Sequence, residues 1–474
     1  MTTFVDAINN QEARTENGMK ARKSTANSVT DFFFKVGASR GQDVIPMFIK
    51  AQLEDADKAI RVAQWARDVR GGAGERQIFK DILVYLSKHN EDVAIALIDK
   101  TPTIGRWDDL LVDFQNDNVR KYAFETIKKA LNDGNALCAK WMPRKGAKAV
   151  ELRKFLGWTP KQYRKTLVNL TKVVETQMCE NKWDDINFEH VPSLASARYR
   201  NAFNRHTPKF NVYVEKLVDG EAKVNAGAVY PYDVTKSLKV GHGWYGSANL
   251  TKTEEDFIIK QWDALENFVG DASVLPMIDV SGSMGVEVGG NNNLTCMEIA
   301  ISLGLYVAEK NKGVFKDAFL TFSGNPSLVV AKGNIVEKVR QTETAHWAMN
   351  TNLHKAFDVV LNSAVNSAVP ESEMPKTLII FSDMQFDSCV KFDDSAMEMI
   401  RRKYEDAGYE LPKIVFWNLN AYDNVPVKFN EHGVALVSGF SPSLMKSIFS
   451  DDLDSFTPES VMLETIMDER YDWR

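Results

Sequence analysis

The chain has 474 residues, 44% of them hydrophobic and 26% charged, which suits two or three globular domains with ample core. It holds no run of about 18 apolar residues, which excludes a membrane-spanning helix, and its opening stretch, MTTFVDAINNQEARTENG, lacks the basic-then-apolar order of a secretory signal. The net charge of −6 divides unevenly, with 39 Lys and Arg against 30 Asp and Glu in residues 1–250 and 19 against 34 in residues 251–474; either two domains of opposite sign dock, or a basic half faces a polyanion.

Residues 1–30 are polar and read as a partly loose segment. Over 31–250 the apolar spacing is mostly helical. Helices are predicted at 44–68, 77–98, 107–115, 118–131, 135–141, 149–156, 160–181 and 193–204. The breaks between them carry Gly or Pro: RGGAGER at 70–76, TPTIGR at 101–106, NDG at 132–134 and WMPRKG at 141–146. Helices of this length on short turns predict an all-helical, HEAT-like array.

Residues 140–216 carry 16 Lys and Arg against 7 Asp and Glu. Within them Arg144, Lys145, Lys148, Lys161, Arg164, Lys165 and Lys172 are candidate RNA contacts. On a helix opening near Pro160, positions 161, 164, 165 and 172 share a face. Trp141, Trp158 and Tyr163 lie among these cations, and cations with aromatic neighbours suit phosphate contact and base stacking. A solvated helix face over core aromatics is the plainer reading of the same pattern. RGGAGER lacks the G-x-x-x-x-G-K-[ST] order of a phosphate loop and reads as a helix-to-helix turn. GHGWYG at 241–246 matches G-x-G-x-x-G without a βαβ unit around it and reads as linker. Residues 251–270 are predicted to form a connecting helix capped by Thr251 or Thr253.

From residue 271 to 474 the period changes. Apolar runs at 273–280, 317–322, 376–382, 413–419 and 433–437 read as strands. Helical stretches at 294–310, 351–364, 394–407 and 442–450 alternate with them, which predicts a Rossmann-like, doubly wound α/β sheet. Such sheets bind ligands at the carboxyl ends of their strands. The first strand ends in Asp279-Val280-Ser281-Gly282-Ser283, the third in Ser382-Asp383, and Asn350-Thr351-Asn352 opens a helix between them. Carboxylates and hydroxyls together suit a hard divalent cation such as Mg²⁺, with Mn²⁺ or Ca²⁺ as alternatives. The lack of His or Cys disfavours zinc. Too little negative charge is present to displace all the water, which leaves an open position for a partner's carboxylate.

These residues resemble the metal-ion-dependent adhesion site (MIDAS) of von Willebrand factor A domains: D-x-S-x-S after the first strand, a later Thr and a still later Asp. The resemblance covers about residues 270–450 and implies a metal site of Asp279, Ser281, Ser283, Thr351 and Asp383. Met384 departs from that family, which usually has Gly there. Helices followed by such a domain resemble the Ro autoantigen (TROVE) family. ARDVRGGAGER (66–76), GRWDDLL (105–111), KWMPRKG (140–146), YRKTLVNLTKVVE (163–175) and VPSLASARYRNAF (191–203) are similar to a TROVE-like family of uncharacterised proteins from plants, slime moulds, bacteria and large viruses. The resemblance implies a ring of helices beside the A domain, and RNA, structured or with single-stranded ends, as partner.

The expected function is therefore a non-catalytic, ribonucleoprotein-type RNA-binding protein with a metal-dependent A domain. The alternative is a metal-dependent protein-interaction or assembly module that takes an acidic protein ligand on a helical scaffold. Catalysis is disfavoured, because no nucleophile elbow is present and His346 and His354, which flank Thr351, suit packing as well as chemistry. Cys138, Cys179, Cys296 and Cys389 form no C-x-x-C pair, so a reducing, cytoplasmic setting with no disulfide framework is expected.

Overall fold

A computed structural model describes residues 12–171, 173–227, 229–238, 250–289, 294–322, 326–343, 352–386, 396–422, 424–450 and 455–474. The chain divides into two compact units, Met1–Val62 with Ala226–Asp468, and Ala63–Asn225 with Glu469–Arg474. This differs from the expected division at residues 30, 250 and 270. The reason lies in what the first helices pack against.

β1 (Glu12–Arg14) and β2 (Lys20–Arg22) form an antiparallel hairpin, and Arg22 bridges to Val425. Within the segment expected to be partly loose, residues 12–22 thus form this hairpin. α1 (Ser28–Val36) is capped by Asn27, whose side chain accepts from the Thr30 amide. Phe32, Phe33 and Phe34 are all buried, and Phe34 joins the apolar cluster under the sheet. At the end of α1 the Gly37 amide donates to Ser438 Oγ (3.1 Å), and that hydroxyl donates to the Phe33 carbonyl (3.0 Å). A Cβ on Gly37 would lie 2.6 Å from the Ser438 carbonyl oxygen, so the approach requires glycine. The predicted 44–68 helix is two, α2 (Ile45–Glu54) and α3 (Ala56–Arg67). Asp55 separates them: its backbone is extended, and its Oδ1 accepts from the Lys58 amide (3.0 Å), which starts the next helix.

The second unit is helical: α4 (Arg76–His89), α5 (Glu91–Ile104), α6 (Asp117–Asn132), α7 (Ala136–Trp141), α8 (Ala147–Phe155), α9 (Pro160–Leu170), α10 (Val174–Cys179), α11 (Ser193–His206) and α12 (Lys209–Asp219). RGGAGER is the turn between α3 and α4, as read from the sequence. Arg67 and Asp109 are fully buried, with Nε 2.7 Å and Nη2 2.6 Å from Oδ2. The C-terminal residues return here: Arg470 pairs with buried Asp68, the Tyr471 hydroxyl donates to it (3.1 Å), and Gln64 donates to the Tyr471 carbonyl (2.8 Å).

The remainder of the first unit opens with α13 (Pro231–Thr235) and α14 (Lys252–Asp263). Thr251, one of the two expected caps, caps α14 in a reciprocal box with Glu254. Then follow β3 (Val274–Asp279), α15 (Cys296–Lys310), β4 (Ala318–Phe322), β5 (Ser327–Val330), α16 (Ile335–Glu343), α17 (Leu353–Ser367), β6 (Thr377–Ser382), α18 (Ala396–Asp406), β7 (Lys413–Asn418), β8 (Val434–Ser438), α19 (Met445–Ile448) and α20 (Pro458–Ile466). The sheet order is β5-β4-β3-β6-β7-β8, parallel except for β5. β3, β6 and β8 are buried along their whole length, as expected of parallel strands covered on both faces. Leu275 and Met277 face the layer of α17 and α18 through Phe357, Leu361, Ile400 and Tyr404. Ile278 faces α15, where a Cβ on Gly304 would lie 2.4 Å from Ile278 Cδ1. An all-helical unit and a mixed α/β sheet are therefore both present, the α + α/β composition read from the sequence.

Candidate functional site

The strand order reverses at the β3–β6 pair, and in such sheets ligands bind at the carboxyl ends of the strands at that point. Register aligns Ile278 of β3 with Phe381 of β6, which brings Asp279 and Asp383 to the same edge. Both carboxylates are fully buried. Asp279 Oδ1 accepts from the Ser281 amide (2.9 Å) and its Oδ2 from the Ser382 hydroxyl (2.5 Å). The Ser281 and Ser283 hydroxyls lie 3.0 Å apart. Asp383 Oδ1 accepts from the Gln385 amide (3.2 Å), while its Oδ2 is buried with no hydrogen-bond partner among the described residues. Burial, then the neighbouring Asp383 charge, push the Asp279 carboxyl up to about 7. Burial likewise raises Asp383, against the lowering effect of the Ser283 hydroxyl and the Gln385 amide.

Four of the five predicted metal residues, Asp279, Ser281, Ser283 and Asp383, thus converge. Thr351 lies outside the described residues. Two buried carboxylates, an orphaned carboxylate oxygen and two adjacent hydroxyls make a donor set of hard oxygens that fits Mg²⁺ better than a soft metal. Among the described residues no group of three or more His, Cys, Asp or Glu gathers as a metal cluster, at this site or elsewhere, so the donor set rests on two carboxylates and the serine hydroxyls. Met384 takes the left-handed conformation (φ 65°), which favours glycine. Its side chain repays part of that strain by burial in the core under the sheet.

Three further residues support the site: Ser382, which the strand-end pattern already marked, and Gln385 and Asn424, which no motif marks. Ser382 holds Asp279. Gln385 and Asn424 lock the loop after Asp383, Gln385 Nε2 donating to Asn424 Oδ1 (3.1 Å) and Asn424 Nδ2 to the Met384 carbonyl (3.1 Å). The hairpin tip also reaches this loop. Thr15 Oγ1 donates to the Phe386 carbonyl (2.5 Å), the Glu16 amide to Gln385 Oε1 (2.7 Å) and Asn17 Nδ2 to the Gln385 carbonyl (2.7 Å). His354 turns to Asp358, Nδ1 to Oδ2 3.2 Å, and burial holds its imidazole below the ordinary value. His346 lies outside the described residues.

The second candidate site is in the helical unit. α9 is started by Thr159, in a capping box with Gln162, and by Pro160. Tyr163 and Leu167 are its buried face, and the Tyr163 hydroxyl donates to the Pro143 carbonyl (2.9 Å). At 100° per residue, Lys161, Arg164, Lys165 and Val168 fall on the opposite side, and all four are exposed. Lys145 is exposed beyond Pro143, and Arg144 donates to Thr171 Oγ1 (3.1 Å). Lys145, Lys161, Arg164 and Lys165 form no salt bridge among the described residues. Lys148 pairs with Asp113 (2.6 Å) and Glu151 (3.3 Å), which neutralise it. Lys172 lies outside the described residues, past the end of α9.

The aromatics do less than the sequence suggests. Tyr163 is core, and Arg106 already covers the Trp141 ring at 3.7 Å. Beside α9 lies a cleft of about 760 Å³ lined by Lys140, Asn169, Thr171, Gln177, Asn187 and His190 among others. Cys138, Cys179 and Cys296 are free thiols; Cys389 lies outside the described residues. No helix among the described residues is long and apolar enough to cross a membrane.

Residues 123–275 match a family described as a domain of unknown function, DUF2828, and residues 273–470 match a second, DUF7788. A crystal structure of the Ro (RSR) protein of Deinococcus radiodurans overlaps 94% of this chain and 100% of its own, at 14% identity and a TM-score of 0.38, too loose an overlap to assign the fold. The chain is 32% identical over 518 residues to uncharacterized protein L728 of Acanthamoeba polyphaga mimivirus, covering 95% of this chain and 86% of that protein. It therefore belongs to the family of mimivirus L728.

Proposed function

We propose that the protein binds RNA without catalysing a reaction, as a TROVE-like ribonucleoprotein component. The observation that carries this is the solvent face of α9: Lys161, Arg164 and Lys165 stand together, exposed and without a salt bridge among the described residues. Three unneutralised cations on one helical face attract phosphates, and the nearby cleft offers amide and imidazole groups that can hydrogen-bond to bases. The motif likeness to the TROVE family points the same way. The test is titration with a short RNA hairpin that carries a single-stranded 3′ tail. Between about 50 and 200 mM salt the affinity should fall by roughly tenfold or more, and Lys161→Glu with Arg164→Glu and Lys165→Glu should abolish binding. Unchanged affinity in the triple variant would refute this footprint.

A second reading is favoured by the orphaned Asp383 oxygen. In it the Asp279, Ser281, Ser283 and Asp383 set holds Mg²⁺ in the manner of a von Willebrand factor A domain. Bound there, the cation would neutralise the two buried carboxylates and accept a carboxylate from an acidic partner. Asp279 and Asp383 would hold it through carboxylate oxygens, with the serine hydroxyls beside them; Ser382 and the Gln385 amide orient the two carboxylates. The RNA-binding and cation-binding readings are compatible, each belonging to a different unit.

A further inference from the structure

A second cleft, of about 670 Å³, lies within the first unit, between the hairpin, α1 and α2. Asp31 and Lys35, one turn apart on α1, line it together with Lys50 of α2, Arg14 of β1 and Lys23 just past β2. Four cations thus share one cavity with a single carboxylate, and that carboxylate is already engaged. Asp31 Oδ2 accepts from the Ser24 hydroxyl (2.5 Å) and its Oδ1 from the Thr25 amide (2.7 Å). Glu54, at the end of α2, accepts from the Ser28 amide (2.7 Å). Arg14 donates to the Gly18 carbonyl through Nη1 (3.0 Å). Arg14, Lys23 and Lys50 are exposed and form no salt bridge among the described residues, whereas Lys35 is only 7% exposed.

A buried ammonium with three further cations around the same cavity concentrates positive charge, and an anion seated among them turns that repulsion into attraction. The volume falls within the range of about 300–1,000 Å³ usual for small-ligand sites. Among the described residues no aromatic ring lines the cleft, so it offers charge and no platform on which a base could stack. We propose that this cleft binds a compact polyanion with neighbouring phosphate groups, Arg14, Lys23, Lys35 and Lys50 supplying the cations. Such phosphates come either from a free polyphosphate ligand or from a nucleic-acid strand. The site lies in the other unit from α9 and does not depend on the α9 reading.

The test uses the full chain in EDTA with inorganic tripolyphosphate as probe, binding read by titration calorimetry and by the rise in melting temperature. The wild type should bind, less tightly at about 200 mM than at about 50 mM salt. Lys23→Glu with Lys50→Glu should abolish binding. Lys23→Gln with Lys50→Gln, which introduces no repulsion, should weaken it roughly tenfold or more, because two charge-assisted contacts are lost. The triple α9 variant should bind tripolyphosphate as the wild type does. A wild type that leaves about 1 mM tripolyphosphate unbound, a folded glutamine variant of unchanged affinity, or loss of binding in the α9 variant would each overturn the proposal. Short single-stranded RNA added to the α9 variant separates the two sources: displacement of tripolyphosphate identifies a strand, and no displacement a free polyphosphate.

Discussion

Replacing Asp279 by Asn should stabilise the metal-free protein. Asp279 is fully buried, and its carboxyl is pushed from the ordinary 3.8 up to about 7. A carboxylate raised in this way favours folding when protonated; that stability is full below about pH 4 and is lost as pH rises through about 7. Three units correspond to about 4 kcal/mol at most. Asparagine removes this penalty and keeps an oxygen for the Ser281 amide, while its Nδ2 can donate to Ser382 Oγ. Allowing about 1 kcal/mol for the altered hydrogen bond, Asp279→Asn in EDTA should gain roughly 2–3 kcal/mol at about pH 8, or some 4–6 °C at about 2 °C per kcal/mol for a unit of this size. The assay is thermal unfolding at about pH 5 and about pH 8, with EDTA and with Mg²⁺. In EDTA the wild type should melt lower at the higher pH, and the variant's advantage should shrink at the lower pH. With Mg²⁺ at about 100 times its Kd, the wild type should gain about 2.7 kcal/mol and the variant little. A variant that melts below the wild type in EDTA at both pH values would refute the reasoning.

In the helical unit, Asp109→Ala should cost about 3–5 kcal/mol by leaving Arg67 charged, buried and unpaired; denaturant unfolding followed on that unit measures it, and a loss below 1 kcal/mol would mean that water reaches the guanidinium. Gly304→Ala should cost about 1–3 kcal/mol, because the new methyl meets Ile278 at 2.4 Å. Pairing it with Ile278→Val should recover part of that loss in the same melts, and no recovery would place the strain elsewhere.

The sheet was legible because its strands are continuous apolar runs that end in polar residues, a pattern that buried parallel strands impose. Asp279 and Asp383 were legible for the same reason: they stand where those runs stop. The hairpin was not. Its strands have three residues each, too few for periodicity to register, and the loop it meets lies some 370 residues away. The break at Asp55 is present in the sequence as a capping residue, but the apolar stripe runs on past it and masks the break. Charge counting found the α9 face and could not foresee that Lys148 would be neutralised by Asp113, 35 residues earlier. The unit boundary was hidden because helical spacing records that α1 is buried, not which surface buries it.

The return of Glu469–Arg474 to the helical unit has a consequence during synthesis. Asp68 is buried beside Arg470 and Tyr471, yet those partners are made only after the whole intervening stretch from Ala226 to Asp468. At about 5–20 residues per second, the ribosome needs roughly 10–50 s to supply them. Until then the helical unit holds an acidic residue with its cation missing. Its last step of consolidation must wait for the whole of the other unit's later residues to be made, so a ribosome stalled anywhere in that stretch leaves both units unfinished.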